Sequence, residues 1–359
     1  MSTPQPRPSI AEMPPYVAGR PLAARPGLTT YKLSSNENPY PPLPGVQEVA
    51  VRAVETMNRY PDMGNAALYA ALAEAYGVPD ADLAVSTGST GLIYQLLAAY
   101  AGPGDEIVYP WRSFEAYPIA VLAAGASSVQ VPNLPDGRHD LDALAAAVTE
   151  RTRVVIVCTP NNPTGTSITQ TQLDAFLARI PSRVLVVLDE AYCEFVRMPD
   201  AVDGIATYRR HANVAVVRTF SKAYGLAGFR VGYAVAPAPI AATLRAVALP
   251  FGVNLVAQAA AVASLESQEE LLERVEELVA ERRRVLVGVR DAGWQVPDAQ
   301  GNFVWFDLPG DPARIAELTA AAEELGIAVR PLGEDGVRIT IGESEANDRI
   351  IELARTFPH

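Results

Sequence analysis

The 359-residue sequence predicts an α/β fold, a mostly parallel sheet covered on both faces by helices and followed by a smaller α+β unit. Short β-branched runs alternate with alanine-rich stretches through the large first part of the chain. Several of those runs are apolar at every position, as strands buried on both faces must be. Polar motifs follow four of the runs directly, where open α/β sheets place their ligands.

Taken in order, residues 1–34 are rich in proline with little periodicity and read as an extended arm. Leu33-Ser34-Ser35-Asn36-Glu37-Asn38-Pro39-Tyr40-Pro41-Pro42 is a second breaker-rich loop. Strands are expected at 83–86, 106–109, 127–131, 154–158, 184–188, 214–218 and 231–235. Helices between them include 91–101, 141–150 and 170–179. One long helical stretch is expected from about 255 to 292, because Leu271, Val275, Leu278, Val285 and Val289 recur at helical spacing. Arg282, Arg283 and Arg284 are expected on its wet face. Two strands, 302–307 and 337–341, flank a helix at 313–325. The organisation is then an arm over 1–34, a large domain over 35–254 and a small domain over 255–359 joined by the long helix.

A formal charge of −12 and a pI near 4.8 argue against a general binder of nucleic acid or anionic membranes. Local arginine clusters can still receive small anions. Cys158 and Cys193 offer no disulfide framework, and Cys158 lies in an apolar run that reads as core. His139, His211 and His359 show no metal-ligand spacing, so no metal is expected. The N-terminal residues lack an apolar signal core and no apolar run is long enough to span a bilayer; a cytoplasmic protein is the expectation.

Only two lysines, Lys32 and Lys222, stand against 27 arginines. An amine can lose its proton and attack a carbonyl, which a guanidinium effectively cannot. Lys222 lies in Thr219-Phe220-Ser221-Lys222, directly after the run at 214–218. Three other motifs sit at comparable strand ends: Gly88-Ser89-Thr90-Gly91, Thr159-Pro160-Asn161-Asn162-Pro163-Thr164-Gly165 and Asp189-Glu190-Ala191-Tyr192. Singly, each is an ordinary turn or helix cap. Together and in this order, they converge on one cleft.

That combination resembles the fold-type I aminotransferases that use pyridoxal 5′-phosphate, in particular the branch containing histidinol-phosphate aminotransferases. The resemblance runs from Ser35-Asn36-Glu37-Asn38-Pro39 to Val337-Arg338-Ile339-Thr340 and implies a mixed, mostly parallel central sheet. It further implies that Lys222 holds the cofactor aldehyde as a Schiff base and later moves the substrate proton. Asp189 would pair with the pyridine nitrogen, while Tyr192 and Asn162 would hydrogen-bond the ring 3-oxygen. Ser89, Thr90, Thr219, Ser221 and Arg230 would form the phosphate cup, helped by the amides at a helix start. Phe114 would stack on the ring; the alternative for Phe114 is a core side chain. Tyr60, in Asn58-Arg59-Tyr60-Pro61-Asp62, would reach the phosphate of a neighbouring subunit, which implies a homodimer with shared active sites.

The resemblance places Arg338 and Asn36 at the substrate, with Arg338 on its carboxylate, and makes Arg330 a second candidate anion contact. An exposed, solvated arginine is the alternative for Arg330. Gly301-Asn302-Phe303-Val304-Trp305 and Trp111-Arg112-Ser113-Phe114-Glu115 resemble the aromatic (phenylalanine) aminotransferase offshoot found in actinobacteria. The implied reaction moves an amino group between phenylalanine or tyrosine and 2-oxoglutarate, with histidinol phosphate as the alternative amine. Arg112 is a candidate for the second carboxylate of 2-oxoglutarate. A lyase or decarboxylase on the same fold is the nearest rival. No Gly-x-Gly-x-x-Gly follows the first strand and no Gly-Lys-Ser/Thr occurs, which disfavours nicotinamide and P-loop enzymes.

Overall fold

The computed structural model describes residues 3–11, 13–23 and 26–358. Residues 1–2, 12 and 24–25 of the expected arm, and His359, lie outside the described residues. In chain order the strands are β1 (Tyr31–Lys32), β2 (Leu83–Ser86), β3 (Glu106–Trp111), β4 (Ser127–Pro132), β5 (Thr152–Cys158) and β6 (Leu185–Asp189). They continue with β7 (Val214–Thr219), β8 (Gly232–Val235), β9 (Phe303–Asp307), β10 (Ile327–Ala328), β11 (Arg330–Leu332) and β12 (Gly336–Thr340).

Seven of them form a central sheet in the order β2-β8-β7-β6-β5-β3-β4. The run from β7 to β4 is parallel throughout, and β8 is antiparallel to both its neighbours. The sheet is therefore mixed and mostly parallel. Its apolar strands divide their residues between two cores, as their composition requires. Val154, Ile156 and Cys158 face Leu92, Leu96, Tyr117 and Leu244 on one side. Val155 and Val157 belong to the other core, with Leu173, Phe176, Val275 and Leu278.

The C-terminal strands build a second, antiparallel sheet in the order β11-β12-β9, and β1 pairs in parallel with β10. Tyr31 and Lys32, near the end of the segment read as an arm, are thus joined to the C-terminal part of the chain.

Two expectations need correction. The single helix expected over 255–292 is two helices, Leu255–Glu266 and Gln268–Asp291, broken at Ser267. The first packs on helices Pro44–Val54 and Ala66–Tyr76. Its Ala257, Ala260 and Ala261 are fully buried, and small side chains of this kind allow close helix contact. Arg282 is not on a wet face: it is 3 % exposed and donates from Nη1 to the carbonyls of Phe195 and Gly301. Those bonds satisfy two loop carbonyls that would otherwise be buried without donors. Arg283 is exposed as expected.

Candidate active site

The carboxyl ends of β2, β5, β6 and β7 deliver the four motifs to one side of the central sheet. A single cavity there is lined by Ser89, Thr90, Phe114, Asn162, Asp189, Tyr192, Thr219, Ser221, Lys222, Arg230, Arg330 and Arg338. Tyr16, Gly19, Ser34, Ser35, Cys158 and Ala191 complete it. Cys158 is 2 % exposed, so it packs as core while its surface meets the cavity.

One end of the cavity is built for an anion. Helix Gly88–Tyr100 begins three residues earlier than expected, so Ser89 and Thr90 occupy its first turn. No side chain caps that turn and no acidic residue lies in it, which leaves its amides and the positive end of the helix dipole for a ligand. Arg230 Nη1 donates to Ser221 Oγ at 3.1 Å beside the same turn. Gly88 sits at φ 84°, and a Cβ there would lie 2.6 Å from Arg230 Nη2. Glycine is thus required both for the left-handed turn and for the approach of the guanidinium.

At the other end, Asp189 is 3 % exposed. Its Oδ2 accepts from the Tyr117 hydroxyl at 2.6 Å, and its Oδ1 is buried without a hydrogen-bond partner. Burial pushes the carboxyl up to about 6, against the opposing effect of the Tyr117 bond. Such a lone acceptor calls for an N–H donor or a cation.

Lys222 Nζ lies between these ends and donates to the carbonyls of Ser35 (3.1 Å) and Asn36 (3.2 Å). Burial, reinforced by the Arg338 charge, lowers its amine to about 7. The amine is therefore available in its uncharged, nucleophilic form near neutral pH. Burial raises the Tyr192 hydroxyl well above the usual tyrosine range, so it stays protonated.

Arg338 is 7 % exposed and hydrogen-bonds neutral acceptors, Asn162 Oδ1 at 2.6 Å and the Ser34 carbonyl at 2.8 Å. Its Nε is buried without a partner. Arg330 is not the solvated arginine of the alternative reading. It is 6 % exposed, lines the cavity, and donates to Glu115 Oε2 at 2.8 Å and to the Val17 carbonyl.

Three sequence candidates stand elsewhere. Asn36 is buried behind the cavity and hydrogen-bonds Tyr192 and Thr340 rather than lining the space. Arg112 is not among the lining residues; its guanidinium stacks on Trp111 at 4.6 Å and its Nε lies 3.3 Å from Asp335 Oδ2. Tyr60 is 82 % exposed and stacks on Phe251, with ring centroids 4.6 Å apart. Conversely, sequence reasoning gave no role to Tyr117, Glu115 or Tyr16. Tyr117 and Glu115 follow Phe114 by three residues and by one, but only the fold shows that the first meets Asp189 and the second Arg330.

These residues fit pyridoxal phosphate. The orphaned Asp189 oxygen suits a protonated ring nitrogen, the uncapped helix start with Arg230 suits a phosphate, and Lys222 supplies a primary amine between them. Among the described residues no cluster could hold a metal ion, and no helix is long and apolar enough to cross a membrane.

Comparison with known proteins agrees with this geometry. The family model for aminotransferase class I and II matches residues 29–353. The chain is 55 % identical to an aromatic amino acid aminotransferase of Streptomyces avermitilis over 99 % of this chain and 98 % of the relative. It is 54 % identical to the protein of the same description from Streptomyces coelicolor, with the same coverage. Its fold matches the crystal structure of histidinol-phosphate aminotransferase from Sinorhizobium meliloti in complex with pyridoxal-5′-phosphate, with a TM-score of 0.88. That match has 28 % identity and covers 99 % of both chains.

Proposed function

The chain belongs to the class I and II aminotransferases, and from that premise we propose that it moves an amino group between an aromatic amino acid and 2-oxoglutarate. Pyridoxal 5′-phosphate is the cofactor in this reading, phenylalanine or tyrosine the amine, and the cytoplasm the compartment. The observation that carries it is the meeting of one amine and two unsatisfied polar atoms around one cavity. These are the Lys222 amine with its lowered basicity, the Asp189 Oδ1 acceptor and the Arg338 Nε donor. The aromatic specificity rests on the relatives at 55 % and 54 % identity.

When bound, the cofactor supplies an aldehyde that captures amines and a ring that accepts electrons from the substrate α-carbon. Arg338 binds the substrate carboxylate with donors left over, the unpartnered Nε among them, while Asn162 and Ser34 hold the guanidinium in place. Lys222 Nζ would hold the cofactor aldehyde and, when free as an amine, would take the proton from the substrate α-carbon. The carbonyls of Ser35 and Asn36 hold that nitrogen within reach. Asp189, fixed through Tyr117, presents its second oxygen as a buried negative partner for the ring nitrogen. Tyr192 and Asn162, which line the cavity, would hold the ring by its 3-oxygen.

The same reading makes the protein a homodimer with shared active sites, in which Tyr60 serves the neighbouring subunit. In support, Val51, Met57, Tyr60, Met63, Leu249 and Phe251 are large apolar residues left exposed in the single chain. Tyr60 stacks on Phe251, which lines one pocket with Met63 and Leu249, and a grouping of exposed apolar side chains favours an interface. The domain division is proposed at Ser267, where the two helices separate.

The test is a half-reaction. Purified protein loaded with pyridoxal phosphate is mixed with phenylalanine or with histidinol phosphate, and the visible band is followed. Loss of the band with phenylalanine, and its return with 2-oxoglutarate, supports the proposal. Loss with histidinol phosphate alone replaces the aromatic assignment. Release of carbon dioxide or ammonia in place of an oxo acid replaces transamination.

A further inference from the structure

Asn36 was expected at the substrate, yet its contacts describe a different task. Its backbone is left-handed, with φ 52°, a conformation that asparagine tolerates better than other residues with a side chain. Its carbonyl accepts from Lys222 Nζ and from Asn302 Nδ2, both at 3.2 Å. Its N–H donates to Thr340 Oγ1 at 2.9 Å. With that lone pair engaged, Thr340 gives its own proton to Asn36 Oδ1, 3.2 Å away. The amide is thereby oriented, and its Nδ2 faces the Tyr192 hydroxyl at 2.9 Å.

The consequence falls on Tyr192. A phenol has one proton to give. Its oxygen accepts from Asn36, and among the described residues no side chain or carbonyl accepts that proton. Tyr192 is 4 % exposed and its surface lines the cavity. The proton is left to point into the cavity, toward whatever acceptor is bound there. Thr340 stands two residues after Arg338 on β12, so both side chains lie on one face of that strand. A directed chain of donors therefore runs from the substrate-binding strand through Asn36 to the cofactor side of the cavity.

We propose that Asn36 is a positioning residue that fixes Tyr192 as a hydrogen-bond donor to the ring 3-oxygen of the bound cofactor. The inference rests on the reading of the cavity as a pyridoxal phosphate site. It assigns Asn36 no contact with substrate and gives Thr340 the role of orienting it.

The test is the pH midpoint of the visible absorption of protein loaded with pyridoxal phosphate. It is measured in the wild type, Asn36→Gly, Tyr192→Phe and the double variant, together with cofactor dissociation constants. Glycine keeps the left-handed backbone and the carbonyl that holds Lys222, and removes only the side chain. Loss of a donor to the 3-oxygen raises the midpoint. Asn36→Gly is expected to raise it by less than Tyr192→Phe does, and to have no further effect in the Tyr192→Phe background. Asn36→Asp, whose carboxylate accepts the tyrosine proton, is expected to raise it by about one pH unit, tenfold in the equilibrium, and more than glycine does. An equal shift by Asn36→Gly with and without the Tyr192 hydroxyl, or no shift at all, overturns the inference while leaving the cofactor site intact. A wild-type protein that binds the cofactor with no visible band overturns both.

Discussion

Arg330 and Arg338 stand directly opposite each other across β11 and β12, and both are buried. Like charges in that arrangement repel. The two are balanced unequally: Glu115 lies 2.8 Å from Arg330, while Arg338 hydrogen-bonds only the neutral oxygens of Asn162 and Ser34. The cavity is thus short of one negative charge on the Arg338 side. A carboxylate ligand would supply it, with a bidentate geometry that a guanidinium can match.

Replacing Arg338 is expected to separate stability from binding. In Arg338→Met, a buried charge without an acidic partner gives way to an apolar side chain of similar length, which is commonly neutral or stabilising. The variant should unfold at an unchanged or higher urea concentration. Its affinity for a non-reacting carboxylate such as 3-phenylpropionate should fall by about 30- to 1000-fold, the cost of removing one partner of a buried charged contact. An affinity within threefold of the wild type would mean that another group holds the carboxylate.

The lowered basicity of Lys222 gives a pH dependence with a definite sign. The folded protein releases this proton at about 7, whereas the unfolded chain holds it to about 10.4. Between those values the unfolded state binds more protons, so the cofactor-free protein gains stability from Lys222 as pH rises from 7 toward 10. Lys222→Met should flatten that rise in urea unfolding at pH 7, 8.5 and 10. Reduction of the cofactor-loaded protein with borohydride should label Lys222 and not Lys32, which is paired with Glu37 at the surface.

Asp189 shifts the opposite way. Burial holds its folded carboxyl at about 6, above the unfolded value near 3.9. The folded state therefore keeps the proton longer, and the contribution to stability is lost as pH rises through about 6. Asp189→Asn should make the cofactor-free protein more stable above that pH and weaken cofactor binding. Both changes are readable in one pair of thermal melts, with and without pyridoxal phosphate. A variant that is destabilised in both melts would assign Asp189 a structural role instead.

The strands and their polar ends were legible in the sequence because β5, β6 and β7 carry apolar residues on both faces, a pattern a surface strand does not share. Lys222 stood out because an amine among so many arginines has chemistry they lack, whereas Asp189 and Arg230 were singled out by the family resemblance. What escaped depends on distant pairing. Tyr117 meets Asp189 across 72 residues and Arg330 meets Glu115 across 215, and no local pattern encodes either contact. The break at Ser267 escaped for the opposite reason: apolar periodicity runs through both helices, and a serine does not mark a stop as glycine or proline does. Asn36 was found as a motif residue, but its bond to Thr340, 304 residues away, has no local signature.

Tyr60 leads to a prediction that one chain cannot satisfy. It is 82 % exposed, and Phe251, on which it stacks, is itself 40 % exposed. If Tyr60 serves the neighbouring active site, a Tyr60→Ala subunit impairs its partner's site, whereas a Lys222→Ala subunit disables its own. In a hybrid of the two, both defects fall on one site and the other site is complete. Equal amounts of the two variants, dissociated and reassociated, should therefore recover roughly a quarter of wild-type activity, because half the dimers are hybrids with one good site in two. If Tyr60 acts within its own chain, each hybrid site carries one defect and mixing restores nothing. Sedimentation of the mixture confirms that dimers have re-formed, so the absence of recovery would count against the shared site.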